Sequence, residues 1–128
     1  MNVVDSCGWL EFFAGSGNAH FFAPAIEDVR HLVVPTLTLF EVFKRVRQQR
    51  GESDALTAIA AMQQGRVVDL TAALAFEAAE LSLLHKLPLA DSLVLATAHA
   101  NKATLWTQDS DFEHLPGVRY RAAPTRKR

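Results

Sequence analysis

Short apolar runs, Val3-Val4, Leu32-Val33-Val34-Pro35, Val67-Val68 and Leu105-Trp106, are spread along the chain, with longer segments of helical periodicity between them. Such runs are too brief for helices. Their unbroken apolar character is that of strands buried on both faces. Strands alternating with helices predict a parallel sheet covered on both sides.

The predicted elements follow in order. A strand at Val3-Val4 stops at Asp5, and Ser6 can cap a helix carrying Trp9, Leu10, Phe12 and Phe13. Gly15-Ser16-Gly17-Asn18 ends that helix, and a second runs from Phe21 to Val29. After the strand Leu32–Pro35, Thr36 caps a long helix with Leu37, Phe40, Val42, Phe43 and Val46 on its apolar side. Gly51 ends it, and Ser53 or Asp54 starts another through Met62. A third strand covers Val67–Leu70, and Thr71 opens an alanine-rich helix ending near His85-Lys86. Beyond Pro88, a nearly all-apolar helix spans Leu89–Ala100 and leads into the strand Ala103–Thr107. Val118–Tyr120 is a candidate fifth strand. The 128 residues fit one domain, read as 1–123, with a basic tail at 124–128 expected to fray.

Right-handed crossovers put the C-terminal ends of all these strands on one edge, where open α/β sheets bind ligands. Asp5 ends the first strand, and Asp109 lies just past the fourth, with Asp111 two residues on. Glu41 occupies the second turn of the helix after the second strand, an acid among Leu39, Phe40, Val42 and Phe43. Asp91 lies in the first turn of the apolar helix. A simple crossover is expected to start that helix at the opposite edge, unless the preceding helix carries it up. Each acid also has a structural reading: Asp5 or Ser6 as a helix cap, Asp91 as a complement to the helix dipole, Asp109 and Asp111 as caps of a turn around Phe112, and Glu41 as a solvated side chain.

If the acids converge, electrostatics narrows the options. Two bare carboxylates ~4 Å apart repel by roughly 4 kcal/mol at an effective dielectric of about 20. A cluster must therefore protonate, separate or bind a cation. Oxygen-only donors suit Mg²⁺ or Mn²⁺ rather than zinc. Such an ion activates water and stabilises a phosphate undergoing displacement.

Four stretches of the chain resemble the PIN domain, and in particular the VapC-type toxins of bacterial toxin–antitoxin pairs. The first two are Val3-Val4-Asp5-Ser6 with Trp9 and Phe12, and Pro35-Thr36 followed by Glu41-Val42. Leu87-Pro88-Leu89-Ala90-Asp91-Ser92 with Ala96-Thr97-Ala98 comes next, then Leu105-Trp106-Thr107-Gln108-Asp109-Ser110-Asp111-Phe112. The resemblance implies an α/β/α sandwich with strand order 3-2-1-4-5 and a Mg²⁺ site (Mn²⁺ as substitute) built from Asp5, Glu41, Asp91 and Asp109. Asp5 and Asp91 would be direct ligands, Asp111 an auxiliary acid, and Ser6 and Thr107 polar residues lining the site. It further implies endoribonuclease activity on structured RNA, tRNA or rRNA, a homodimer, and a cognate VapB-type antitoxin.

Further residues add weaker signals. Lys44, Arg45, Arg47 and Arg50 on one helix, and Arg119 and Arg121 on the last strand, are candidate RNA contacts or simply solvated surface. Trp9, Phe12 and Phe13, with Phe21 and Phe22, are more aromatic surface than a small domain readily buries, which suggests a groove for an antitoxin helix or a second protomer. The net charge of −1 neither announces nor excludes a nucleic-acid partner. Cys7, the single cysteine, cannot form an internal disulfide. It reads as a small buried residue in a cytoplasmic protein, with neither signal peptide nor membrane span expected. His20, His31, His85, His99 and His114 share no metal-like spacing, but they keep open a metal-free ribonuclease using histidine as acid and base. Two competing functions stay open as well. One is a phosphatase or phosphotransfer domain with Asp5 as nucleophile, in which Cys7 stands where a second aspartate is needed. The other is a non-catalytic PIN-like binding module.

Overall fold

The structure is a computed structural model that describes residues 1–125; of the expected tail, 126–128 lie outside the described residues. Strands β1 (Asn2–Val4), β2 (Leu32–Pro35), β3 (Arg66–Val68), β4 (Thr104–Thr107) and β5 (Val118–Tyr120) form an all-parallel sheet in the order 3-2-1-4-5. The helices are α1 (Ser6–Ala14), α2 (Ala19–Glu27), α3 (Thr36–Arg50), α4 (Glu52–Met62), α5 (Ala72–His85) and α6 (Leu89–Ala100).

Alternation along the strands divides the core. Val4, Leu32, Val34 and Trp106 pack with Trp9, Phe22, Val42, Val46 and Met62 of the α1–α4 layer. Val3, Val33 and Leu105 point the other way, onto Val94, Leu95 and Ala98 of α6, and α5 packs over α6 through Leu74, Ala78 and Ala96. The result is the expected three-layer sandwich. Gly8 is required where α1 meets α2, since a Cβ there would lie 2.6 Å from the Phe22 ring and 2.8 Å from Val4.

The departures from expectation have local causes. Asp5, rather than Ser6, is the N-cap of α1, its carboxylate accepting from the Ser6 amide. Pro35 precedes α3, so Thr36 is its first residue rather than its cap. α4 begins at Glu52 directly after Gly51, and α2 closes at Glu27 before a 3-10 turn at Val29–His31. β3 starts one residue earlier than expected, ends at Val68 and is a largely exposed edge strand rather than a buried one. Phe40, placed on the apolar side of α3, is 61% exposed. Pro124, assigned to the tail, packs against Gly17.

Trp9, a candidate surface groove residue, is only 1% exposed. It lies in the core with Phe13 stacked on it, centroids 5.7 Å apart. Phe12 and Phe13 are half-buried at the rim. The larger uncovered apolar surface is elsewhere: Phe76, Leu83 and Leu84 on α5, with Leu89 at the start of α6, are each between 72% and 80% exposed. Among the described residues no single helix is long and apolar enough to cross a membrane; α5 and α6 together have the length and composition but are bent by 115°.

Candidate active site

Parallel register brings the ends of β1 and β4 side by side, with Val4 opposite Trp106. Asp5 and Thr107 are therefore neighbours. Asp5 is 5% exposed, and its two oxygens are held separately. Oδ1 accepts from the Ser6 amide at 2.8 Å. Oδ2 accepts from the Thr107 hydroxyl at 3.0 Å and from the Cys7 thiol at 3.6 Å. The Thr107 hydroxyl oxygen also accepts from the Asp109 amide at 3.0 Å, so one buried hydroxyl fixes the positions of two acids. Asp109 Oδ1 in turn accepts from the Asp111 amide at 2.9 Å.

Asp91 joins them: Asp5, Asp91 and Asp109 each offer an oxygen within 4.8 Å of the others. The expectation that α6 would start at the far edge is corrected by its direct passage into β4. A helix that leads straight into a strand runs antiparallel to it and starts where that strand ends. The opposite end of α6 agrees with this direction, because Asn101 accepts from Arg66 at the start of β3 (2.8 Å) and the Thr104 amide bonds to the Met1 carbonyl. Glu41 lies outside the trio, hydrogen-bonded to the Ser6 side chain and within the field of Asp5. Asp111 is hydrogen-bonded to the Asp91 carboxyl.

The charges are uncompensated. Burial, outweighing the Thr107, Ser6 and Cys7 hydrogen bonds, raises the pKa of Asp5, and Asp109 adds to the rise. Asp91 is pushed up to about 8 by burial, then by the charge of Asp109, its bond to Asp111 and the charges of Asp5 and Asp111. Glu41 is raised by burial and then by Asp5, against its Ser6 bond. Among the described residues no lysine or arginine pairs with these acids. Oxygen-only donors, close together and short of positive charge, fit a divalent cation of the magnesium or manganese type.

Sequence reasoning misses some neighbours. Cys7, expected to be a plain buried residue, stands in the site, 3.6 Å from both Asp5 Oδ2 and Thr107 Oγ1; burial and then Asp5 push its thiol up to about 12. Glu11 is only 4% exposed and accepts from the Gln108 amide at 3.3 Å. The Gln108 carbonyl accepts from Asn18, which also bonds to the Ala122 carbonyl. A signal for Glu11 does exist in the sequence: like Glu41, it interrupts an apolar helical stretch.

The basic candidates divide between surfaces. Arg45 and Arg50 line a cleft of about 750 Å³ that reaches Cys7 and Gln108. Lys44 and Arg47 instead border an apolar groove of about 540 Å³ with Phe40, Phe43 and Ile59. Arg119 and Arg121 lie over the rings of Trp106 and Phe21 at 4.5 and 4.9 Å, which gives them a packing role. His20, His31, His99 and His114 are exposed and His85 is half-buried, and the pairings seen for them are His31 with Asp28 and His114 with Glu113.

Comparison with known proteins agrees with this architecture. No curated protein sequence matches the chain. Among solved structures, a toxin–antitoxin complex from Klebsiella pneumoniae is similar with a TM-score of 0.80 at 22% identity, covering 93% of this chain and 96% of that one. VapC20 of Mycobacterium tuberculosis, described as a Sarcin-Ricin loop cleaving toxin, has a TM-score of 0.73 at 19% identity, covering 91% and 95%. VapBC2 from Rickettsia felis, bound to a promoter DNA fragment, has a TM-score of 0.72 at 14% identity, covering 96% and 98%. At these identities the likeness is one of fold. The model of the PIN domain family matches residues 3–118, nearly the whole sandwich and every acid of the cluster, and the chain therefore belongs to the PIN domain family.

Proposed function

We propose that this protein is a divalent-cation-dependent endoribonuclease acting as the toxin of a toxin–antitoxin pair. The observation that carries the reading is the convergence of Asp5, Asp91 and Asp109 within 4.8 Å, in a PIN domain, with no basic side chain among the described residues to neutralise them.

In this reading Asp5, Asp91 and Asp109 hold Mg²⁺, with Mn²⁺ as a substitute. The ion supplies Lewis acidity toward a phosphoryl oxygen and a water nucleophile near neutral pH. The protein's share is positioning. The Ser6 amide and Thr107 hydroxyl fix both oxygens of Asp5, and Thr107 sets the backbone of Asp109. Asp91, held above the ordinary carboxylate range by burial and its acid neighbours, would lose its proton to a bound cation, and Glu41 near Asp5 and Asp111 near Asp91 add acidic side chains around the trio. A phosphotransfer reading of Asp5 lacks the second aspartate it needs two residues on, where Cys7 stands.

The substrate proposed is structured RNA, tRNA or rRNA, by likeness to a fold whose relatives include a Sarcin-Ricin loop cleaving toxin. The partner proposed is a VapB-type antitoxin, in line with the toxin–antitoxin complexes among the similar structures. With Trp9 buried, the rim left for its helix is Phe12 and Phe13. A homodimer is supported by the uncovered apolar face of α5, and a cytoplasmic setting by the free thiol of Cys7. The test is cleavage of a panel of cellular RNAs with Mg²⁺ and with EDTA. A non-catalytic module would bind RNA and leave it intact in both.

A further inference from the structure

The cleft between α1, α3 and α4 is not needed to hold a cation and none of the clustered acids lines it, but it adjoins them through Cys7 and Gln108. Cys7 belongs to both: its sulfur touches Asp5 and Thr107 on one side and lines the cleft on the other. Gln108, adjacent in sequence to Asp109, lines it too. Its volume of about 750 Å³ lies within the ~300–1,000 Å³ of small-ligand sites, roomy enough for one nucleotide unit.

The walls carry both signs of charge, Asp54 and the buried Glu11 standing with two arginines. Arg45 and Arg50, exposed on α3, supply two guanidinium groups suited to phosphate. Gln49 offers an amide that can donate to and accept from a base edge. Phe13 borders the space, with Trp9 stacked against its ring to hold it in place. Gln108 is held between Glu11 and Asn18, so this wall is prearranged. Lys44 and Arg47, on the same helix, face the separate apolar groove and serve as internal controls.

We infer that this cleft is a subsite for a single unpaired nucleotide of the RNA, next to the phosphate that is cut, with Arg45 and Arg50 on its phosphates and Phe13 and Gln49 on its base. Unstacked bases are the part of RNA that aromatic and amide side chains read. The inference rests on the nuclease reading of the acid cluster, but its own test does not depend on catalysis.

That test is binding of a short single-stranded oligoribonucleotide, and of the same strand in a duplex, to the wild-type chain in EDTA, followed by fluorescence anisotropy across a salt series. The single strand should bind more tightly than the duplex. An Arg45→Ala, Arg50→Ala double variant should lower the log–log salt slope by about 1.4, since each lost single-strand phosphate contact removes about 0.7. Phe13→Leu, which keeps an apolar side chain against Trp9, should weaken single-strand binding about fivefold or more. Lys44→Ala with Arg47→Ala should leave the slope unchanged. Equal binding of single strand and duplex would overturn the inference, as would an unchanged slope in the Arg45, Arg50 variant. So would cleft variants that lose only antitoxin binding, which would make the cleft a protein-docking surface. Binding that follows the cleft variants, in a chain that cleaves no RNA with any metal, would refute the nuclease and leave the subsite standing.

Discussion

The Thr107 hydroxyl, fully buried at the end of β4, donates to Asp5 Oδ2 across 3.0 Å, tying the first and fourth strands together at the acid edge. The same oxygen accepts the Asp109 amide, so two candidate ligands depend on one side chain. Thr107→Val keeps the shape and removes the hydroxyl. It leaves a buried carboxylate oxygen short of a donor, at a cost of about 1–3 kcal/mol, and lets Asp5 rise further in pKa. RNA cleavage should fall about 10- to 100-fold, the usual effect of losing a group that orients a metal ligand, while Thr107→Ser should retain most of it. Chemical denaturation and initial rates on the two variants check this.

Stability of the cation-free protein should fall as pH rises. Asp91 has its folded pKa raised from 3.8 to about 8, and Asp5 and Glu41 are raised as well. An acid with a raised folded pKa binds more protons folded than unfolded. The contribution of Asp91 is therefore fully present below pH 3.8 and is lost as pH climbs through about 8. Thermal unfolding in EDTA should give a lower Tm at about pH 8.5 than at about pH 5.5. Mg²⁺ should raise the Tm more at the higher pH, because binding displaces fewer protons there. Asp91→Asn should flatten the pH dependence and reduce the Mg²⁺ effect.

The face carrying Phe76, Leu83, Leu84 and Leu89 is proposed to meet a second copy. Glu77 and Glu80 lie in the middle turns of α5 and Lys86 follows its last turn, so an antiparallel pairing can set an acid of one copy against the lysine of the other. Sedimentation should show a dimer for the wild type and a monomer for Leu83→Glu, Leu84→Glu. A variant that still sediments as the dimer removes α5 from the interface.

The parallel sheet and the positions of Asp5 and Asp109 are legible in the residues because a strand's end fixes the residue after it, whereas the order 3-2-1-4-5 comes only with the resemblance to PIN domains. Asp91 is harder. Its helix is apolar nearly all round, and periodicity says nothing of which end starts at which edge; the direct passage into β4 decides that. Trp9 and Phe40 trade places between surface and core because composition counts aromatics without assigning faces. At about 100° per residue around α3, Arg50 lies nearer to Arg47 than to Arg45, so periodicity does not foretell the split of Arg45 and Arg50 from Lys44 and Arg47; the packing of α1 and α4 against the helix decides it. The exposed stripe of α5 is hidden by its alanines, which suit core and surface alike.

The partner surface is proposed to lie at the Phe12 and Phe13 rim. Co-expression with the neighbouring antitoxin should give a complex with suppressed cleavage, and Phe12→Ala should weaken that complex without altering cleavage by the free chain. Unchanged antitoxin affinity in a Phe12→Ala, Phe13→Leu variant would place the antitoxin elsewhere and leave the nuclease reading intact.

Three aspartates are proposed to hold the ion that cuts RNA, and every role given to the residues around them depends on that. The most direct measurement is cleavage of cellular RNA by the wild-type chain and by Asp5→Asn, in Mg²⁺, in excess EDTA, and after Mg²⁺ or Mn²⁺ is returned. Cleavage should disappear in EDTA and recover with either ion. Asp5→Asn should fold normally by circular dichroism and lose about 10³-fold or more in rate, the scale of several kcal/mol of charge stabilisation. Full activity in EDTA, which would turn attention to the histidines, or wild-type turnover by Asp5→Asn would contradict the account.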